Sequence, residues 1–221
     1  MAKVCAAITT YNEAETIGDV VSYFTERQIP CFVVDNCSTD GTADVAASAG
    51  ADVYLFRSTL GEGLMMLYEL GLHSEVQYLI QIDAGVSHLP EESGNLLKTA
   101  IVRDADLVIG SRFVQGADYI GRRWRAAVSA LFGTACRLLT GVKIYDWTSG
   151  YRVFSRHALS LLSRFRPRCR WHAIQAEILY YLLSRRAACV ESPITYIAGR
   201  SSLKANRALE ALRLLMTIRR I

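Results

Sequence analysis

Cys31-Phe32-Val33-Val34-Asp35-Asn36-Cys37-Ser38-Thr39-Asp40-Gly41-Thr42, written CFVVDNCSTDGT, is the stretch that decides the fold. Pro30 breaks the chain before it, and the apolar run Cys31 to Val34 reads as a buried parallel strand. Asp35 to Thr42 is loop by composition, and a helix follows to Ala49. A strand ending at an acid, a polar loop and a helix make half of a βαβ unit.

The same grammar repeats on both sides. Lys3 to Thr9 reads as a strand, and a helix from Asn12 to Arg27 follows, with Asn12 as N-cap and Glu13 and Glu15 at the positive end of its dipole. Asp52 to Phe56 is a third strand. Gly61 and Gly63 open a helix to Leu72, and Tyr78 to Ile82 is the fourth strand. A helix over Pro90 to Ile101 and a strand over Leu107 to Ile109 complete the series. Strand and helix alternating in this way predict an α/β fold with a mostly parallel central sheet covered on both faces. Ligands of such sheets sit outside the carboxyl ends of the strands. Asp35, Asp83 and the segment Thr10-Tyr11-Asn12-Glu13 all fall at such ends and are expected on one rim.

After Gly110 the pattern changes. Arg122 to Leu139 has helical spacing at Trp124, Val128, Leu131, Ala135 and Leu138, a stripe expected to pack on the sheet. A turn region, Tyr145 to Gly150, precedes a short strand, Tyr151 to Phe154. His172 to Leu183 reads as a helix and Cys189 to Ile197 as one strand. From Ala205 to Ile221 the tail sets Leu209, Leu212, Leu215 and Met216 on one stripe, with Arg207, Arg213, Arg219 and Arg220 around it. With no repeat or low-complexity linker, the division is one domain, residues 1–204, and an amphipathic basic helix, 205–221.

Composition narrows the classes. The chain has 221 residues, 51% hydrophobic and 21% charged, which is globular rather than disordered. No apolar run reaches the roughly 18 residues of a membrane span. The opening, MAKVCAAITTYNE, turns polar too quickly for a signal peptide and reads as a first strand in a cytosolic protein. The net charge is +4, with acids dominating Glu13 to Asp52 and bases Arg122 to Arg220, so the second half is expected to face an anion. No nucleic-acid-binding pattern is present, and no nucleic-acid partner is expected. The six cysteines form no Cys-x-x-Cys pair, which argues against zinc and for reduced core residues.

Tyr11, Glu13 and Asp35 offer what a nucleotide needs: an aromatic face for the base, and acceptors for base N–H and ribose hydroxyls. Singly, Glu13 has a plainer reading as a helix-start acid and Asp35 as a turn former. In Gln81-Ile82-Asp83-Ala84-Gly85-Val86-Ser87-His88 the acid at the strand end is a candidate metal ligand, but Gly85 stands where a second would complete an Asp-x-Asp clamp.

Thr10-Tyr11-Asn12-Glu13 followed by Val33-Val34-Asp35-Asn36-Cys37-Ser38-Thr39-Asp40-Gly41-Thr42 closely resembles the family-2 glycosyltransferases of the GT-A fold, an α/β/α sandwich. Later landmarks follow in order: Asp83-Ala84-Gly85 at the family's Asp-x-Asp, Gly110-Ser111-Arg112-Phe113, Asp146-Trp147-Thr148-Ser149-Gly150-Tyr151-Arg152, and Glu191-Ser192-Pro193-Ile194. The branch it is most similar to comprises the dolichol- and polyprenyl-phosphate sugar transferases.

The resemblance implies that Thr10, Tyr11, Glu13 and Asp35 hold the nucleoside, and that Asp83 is the acid at the metal and diphosphate. It implies that Arg112 and Arg200 contact the donor, and that Arg125, Ser129 and Lys204 bind the acceptor phosphate. Asp83, Arg112, Asp146 and Arg152 are the candidate catalytic residues, with an internal Asp146–Arg152 ion pair as the alternative for those two. The cofactor implied is Mg2+ or Mn2+, held through Asp83 and weakened by Gly85. Thr9, Asn36, Gly85, Ser87 and Tyr196 depart from the pattern.

A lipid monophosphate has a second pKa of about 6, so it is already an anionic nucleophile at neutral pH and needs no base. A sugar hydroxyl would need one. The expected function is inverting transfer of a hexose from a GDP- or UDP-linked sugar to polyprenyl phosphate. The expected place is the cytoplasm, peripheral at the inner face of the membrane, with an anchored partner or an oligomer open. Transfer to a glycan hydroxyl, with Asp146 as base, and a non-catalytic nucleotide-sugar binder are the other readings.

Overall fold

The computed structural model describes residues 3–121, 123–198 and 205–221. Five strands and four helices follow the expected order: β1 Val4–Thr10, α1 Ile17–Thr25, β2 Cys31–Asp35, α2 Thr42–Ser48, β3 Asp52–Leu55, α3 Leu60–His73, β4 Tyr78–Asp83, α4 Ser93–Arg103 and β5 Leu107–Ser111. After them come β6 Asp118–Ile120, α5 Arg123–Thr140, β7 Arg152–Ser155, α6 Arg156–Leu162, α7 Ile174–Ser184, β8 Cys189–Pro193, β9 Thr195–Ile197 and α8 Ala205–Thr217.

Among the described residues the main sheet has seven strands, in the order β3-β2-β1-β4-β7-β5-β8. All neighbours pair in parallel except around β7, which is antiparallel to both β4 and β5. Side chains alternate between two cores, as the two-residue period of a strand requires. Cys5, Ala7, Phe32, Val34, Leu79, Leu107, Ile109 and Phe154 face a core closed by α3, α5, α6, α7 and α8. Ala6, Ile8, Cys31, Val33, Ile80, Ile82, Val108 and Val153 face one closed by α1, α2 and α4. Burial on both faces is why these strands read as continuous apolar runs.

Several expectations are corrected. Asn12 is not an N-cap: its φ is 54°, and α1 begins at Ile17, whose N–H donates to the Glu13 carbonyl at 3.0 Å. The expected strand Cys189 to Ile197 divides after Pro193 into β8 in the main sheet and β9 paired with β6 in a second. Neither β6 nor α6 was expected.

The α5 stripe is also corrected. Leu131 and Leu138 are 73% and 81% exposed, and Trp124 and Val128 are exposed with them. The opposite face, Gly133, Cys136 and Thr140, is the buried one. These small residues let α5 approach the 145–147 loop closely, and a Cβ at Gly133 would fall inside contact distance of the Tyr145 carbonyl oxygen. In α8, Leu214 and Ile218 join the core while Leu209, Leu212 and Met216 are exposed.

Gly133→Ala should therefore destabilise. Overpacking costs about 1–3 kcal/mol, against a gain of ~1 kcal/mol in helix propensity; the overlap falls on a backbone carbonyl, which puts the cost at the upper end, so a net loss of about 2 kcal/mol is expected in urea unfolding.

Candidate active site

β1 lies between β2 and β4 in fixed register, with Thr10 beside Asp35 and Thr9 beside Asp83. Three strand ends thus meet at one edge. Asp35 is fully buried. Its Oδ1 accepts from the Ser38 amide at 3.0 Å and the Ser38 hydroxyl at 2.6 Å, while its Oδ2 has no partner. The buried Thr10 hydroxyl has none either. Two buried polar atoms without a hydrogen-bond partner thus sit on neighbouring strand ends. Tyr11 stands exposed beside them.

The loop after β2 holds the loop after β1. Asn12 N–H donates to Ser38 Oγ at 2.8 Å, and Thr39 N–H donates to Asn12 Oδ1 at 3.0 Å. Glu13 N–H donates to Thr42 Oγ1 at 2.9 Å. Asn36, where the family pattern has an acid, accepts from the Ser58 amide at 2.8 Å. The polar string 35–42 is thus the frame that aims Tyr11 and Glu13.

Asp83 is half-exposed at the end of β4, and its Oδ2 lies 3.2 Å from His88 Nδ1. That contact lacks hydrogen-bond geometry, so neither nitrogen of the buried His88 ring has a hydrogen-bond partner. Burial pulls the His88 pKa down, and the Asp83 charge only partly opposes this. A Cβ at Gly150 would stand 2.9 Å from Asp83 Oδ1, so the glycine makes room for the carboxylate. The Glu13 carboxyl is raised in pKa by partial burial; the Thr16 hydroxyl opposes the rise and the Asp83 charge adds to it.

Arg112 and Asp146 form a buried two-pronged pair, Nε to Oδ2 at 2.7 Å and Nη2 to Oδ1 at 2.6 Å. Arg112 N–H also donates to Oδ2, and Nη2 to Thr148 Oγ1 at 2.6 Å. Burial alone would raise the Asp146 pKa, but Arg112 and these hydrogen bonds hold it below the ordinary value. Glu191 accepts from the amides of Tyr145 and Asp146, both at 2.8 Å, and fixes that loop. Tyr196 lies over the Arg112 guanidinium at 5.1 Å, with its ring 5.4 Å from that of His88.

Arg152 is placed elsewhere than expected. Its side chain is 0% exposed and donates to the carbonyls of Ser149 and Gln175 at 2.8 Å and of Trp147 at 3.3 Å. Burial lowers its pKa to about 10. It braces the loop beneath the rim, and Asp146 pairs with Arg112 instead. Ser129 is half-buried on the small-residue side of α5, one turn before Gly133. Arg200 and Lys204, and the side chain of Arg125, lie outside the described residues. Sequence reasoning missed the burial of His88, the bracing by Glu191 and the position of Tyr196. Only Glu191 carried a signal, in its motif.

Residues 5–162 match the family model described as Glycosyl transferase family 2. The chain belongs to that family. This family-2 glycosyltransferase is 33% identical over 219 residues to the polyprenol monophosphomannose synthase of Mycolicibacterium smegmatis, covering 93% of this chain and 82% of that one. It is 31% identical to the undecaprenyl-phosphate mannosyltransferase of Micrococcus luteus, covering 88% and 84%. Among solved structures, the glucosyl-3-phosphoglycerate synthase of Mycobacterium tuberculosis, in complex with Mn2+ and UDP-glucose, superposes with a TM-score of 0.74 at 19% identity, covering 98% of this chain and 77% of that one. The mannosyl-3-phosphoglycerate synthase of Rubrobacter xylanophilus gives 0.74 at 20% identity, covering 97% and 73%. These likenesses establish the GT-A-type fold that the family-2 glycosyltransferase shares with them.

A hard divalent cation takes oxygen ligands, commonly one or two carboxylates with substrate phosphates and water. The half-exposed Asp83 carboxylate fits that chemistry. Among the described residues no three His, Cys, Asp or Glu side chains converge as a complete protein-only site, so the remaining oxygens would be the substrate's.

Asp146→Asn should cost about 3–5 kcal/mol in denaturant unfolding, because it leaves Arg112 buried without a counter-charge. A depressed carboxyl pKa stabilises above the unfolded value, and that stability is lost as pH falls through the folded one. The wild type should therefore lose stability in acid below about pH 4 more steeply than the variant.

Proposed function

We propose that the chain transfers a hexose, with inversion, from a nucleoside-diphosphate sugar to polyprenyl phosphate. The observation that carries this reading is the near-full-length similarity to two enzymes named for polyprenol- and undecaprenyl-phosphate mannose transfer. The unsatisfied Asp35 Oδ2 and Thr10 Oγ1, beside the exposed Tyr11, support a nucleoside on the rim. A divalent cation, Mg2+ or Mn2+, at Asp83 would neutralise the donor diphosphate as it leaves.

The acceptor phosphate needs no base, because it is already anionic. Asp146 suits the base role poorly, being fully buried with both oxygens engaged, and this disfavours the glycan-hydroxyl reading. Asp146 instead orients Arg112 and offsets most of its charge. The cations for the acceptor phosphate would then be Arg125 and Lys204, with Ser129 as a neutral donor and Arg200 toward the donor sugar nucleotide. One in-line displacement at the anomeric carbon, by an oxygen of the acceptor phosphate, gives inversion.

Polyprenyl phosphate is anchored in a bilayer. No helix among the described residues is long and apolar enough to cross one. The exposed apolar faces of α5 and α8 suit the interface of an inner leaflet, with Arg213, Arg219 and Arg220 near headgroups. The ends of these elements adjoin, Ile221 N–H donating to the Thr140 carbonyl at 3.2 Å. A membrane-anchored partner or a second copy could cover the same faces.

Incubation with polyprenyl phosphate, Mn2+ and a panel of GDP- and UDP-sugars should give a glycosyl polyprenyl phosphate from one donor. Saturable donor binding without product under any divalent metal would support the non-catalytic binder instead. Leu131→Glu with Leu138→Glu should reduce co-sedimentation with anionic phospholipid vesicles about tenfold, leaving thermal unfolding unchanged. Unchanged sedimentation would remove the α5 face from the membrane.

A further inference from the structure

We infer that Arg164-Phe165-Arg166-Pro167-Arg168-Cys169-Arg170-Trp171 is a docking strip for the anionic headgroups of a bilayer, distinct from the residues proposed for donor and acceptor. The inference rests on the membrane-borne acceptor proposed above, and it adds a contact that the exposed faces of α5 and α8 do not supply. The sequence alternates, with an arginine at every second position from 164 to 170 and Phe165, Pro167 and Cys169 between. Burial alternates with it. Phe165 and Cys169 are 6% and 5% exposed and belong to the core closed by α3, α6 and α7, while all four arginines are exposed. Two inward anchors thus leave the arginines around them facing solvent, and the exposed Trp171 follows.

The strip is held in shape through its main chain. Glu177 of α7, itself 7% exposed, accepts from the amides of Arg168 at 3.0 Å and Cys169 at 2.8 Å. Glu210 of α8 accepts from the amides of Arg170 and Trp171. The Arg170 carbonyl accepts from Gly61 N–H at 3.1 Å, which ties the strip to the start of α3. Both acids serve the main chain, and among the described residues none of the four guanidinium groups forms an ion pair. With these two acids counted, the strip keeps net positive charge. Four arginines without counter-charges over seven residues make a field that an anionic surface would neutralise.

Two neighbours favour a lipid surface over a soluble polyanion. Glu210 joins the strip to α8 next to Leu209, the first of the exposed apolar residues Leu209, Leu212 and Met216, so charge and apolar surface are continuous. On the other side Arg166 borders a cleft of about 510 Å3 between α3 and α6, with Met65, Met66 and Leu159 in its walls. The acids of that cleft, Glu62 and Glu69, lie on α3, and Glu62 is engaged in a capping box with Thr59. Basic residues flanked by apolar surface are the composition of an interfacial segment.

The test is co-sedimentation of the full chain with vesicles of phosphatidylcholine alone and of phosphatidylcholine and phosphatidylglycerol in equal parts. Arg164→Gln with Arg168→Gln and Arg170→Gln should weaken binding to the mixed vesicles about tenfold or more, and leave binding to the neutral ones unchanged. Arg27→Gln with Lys98→Gln and Arg103→Gln removes the same charge from exposed positions on the α1 and α4 side of the sheet, and should weaken binding less than about threefold. Both variants should unfold at the wild-type temperature and match the wild type in transfer to polyprenyl phosphate in detergent micelles, where no bilayer is present. No wild-type binding to the mixed vesicles, wild-type binding in the strip variant, or an equal loss in the control variant would each overturn the strip and leave the transferase reading standing. A loss of transfer in detergent confined to the strip variant would also overturn it, by moving the arginines to the substrate. If the wild type makes no product from any donor in detergent, the transferase reading falls, and the vesicle comparison still decides the strip.

Discussion

The constraint on which the site depends is that β1 runs between two parallel neighbours. A parallel pair brings carboxyl ends to the same edge, and with β2 on one side and β4 on the other the ends are Asp35, Thr10 and Asp83. Nothing in the loops could gather these residues if a strand were reversed or slipped. Register is set by burial on both faces: a one-residue slip would exchange the side chains of the two cores. The apolar packing that stabilises the sheet is thus also what spaces the polar rim.

The single reversed strand has the complementary use. Because β7 is antiparallel to β4 and β5, its amino-terminal end lies at the edge where theirs are carboxyl ends. The segment just before it, Asp146 to Tyr151, is thereby delivered to the rim. Gly150 comes against Asp83, and Asp146 meets Arg112 at the end of β5. Arg152, the first residue of β7, ties this segment to α7 through three carbonyls.

The ends of β1, β2 and β4 were legible in the sequence because each is a short, mainly apolar run closed by a polar residue. The direction of β7 was not, since Val153-Phe154 reads alike in either sense. The burial of Arg152 was illegible for a related reason: its partners are main-chain carbonyls of residues 147, 149 and 175, which have no sequence signature. Periodicity found the α5 stripe but chose the wrong face. The packed face is made of Gly133, Cys136 and Thr140, whose small side chains carry little hydrophobic signal yet permit the closest approach. β8 and β9 merged in the sequence because Pro193 ends the first while the apolar pattern continues through Ile194. Motif resemblance named Gly85 as a loss, and only coordinates place the Glu13 carboxylate beside it.

Charge sets the last condition. Among the described residues the rim gathers Glu13, Asp35, Asp83, Asp146 and Glu191, while Arg112 is matched by Asp146 and Arg152 is sealed below. A diphosphate approaching that surface meets net negative charge. On the proposed function, neutralisation has to come with the substrate, as a divalent cation, and from the bases at 122–125 and 199–204. The acidic first half and basic second half of the sequence then have one physical meaning. On that proposal the first would hold the nucleoside and the cation, and the second would offset the phosphates that neither could hold alone.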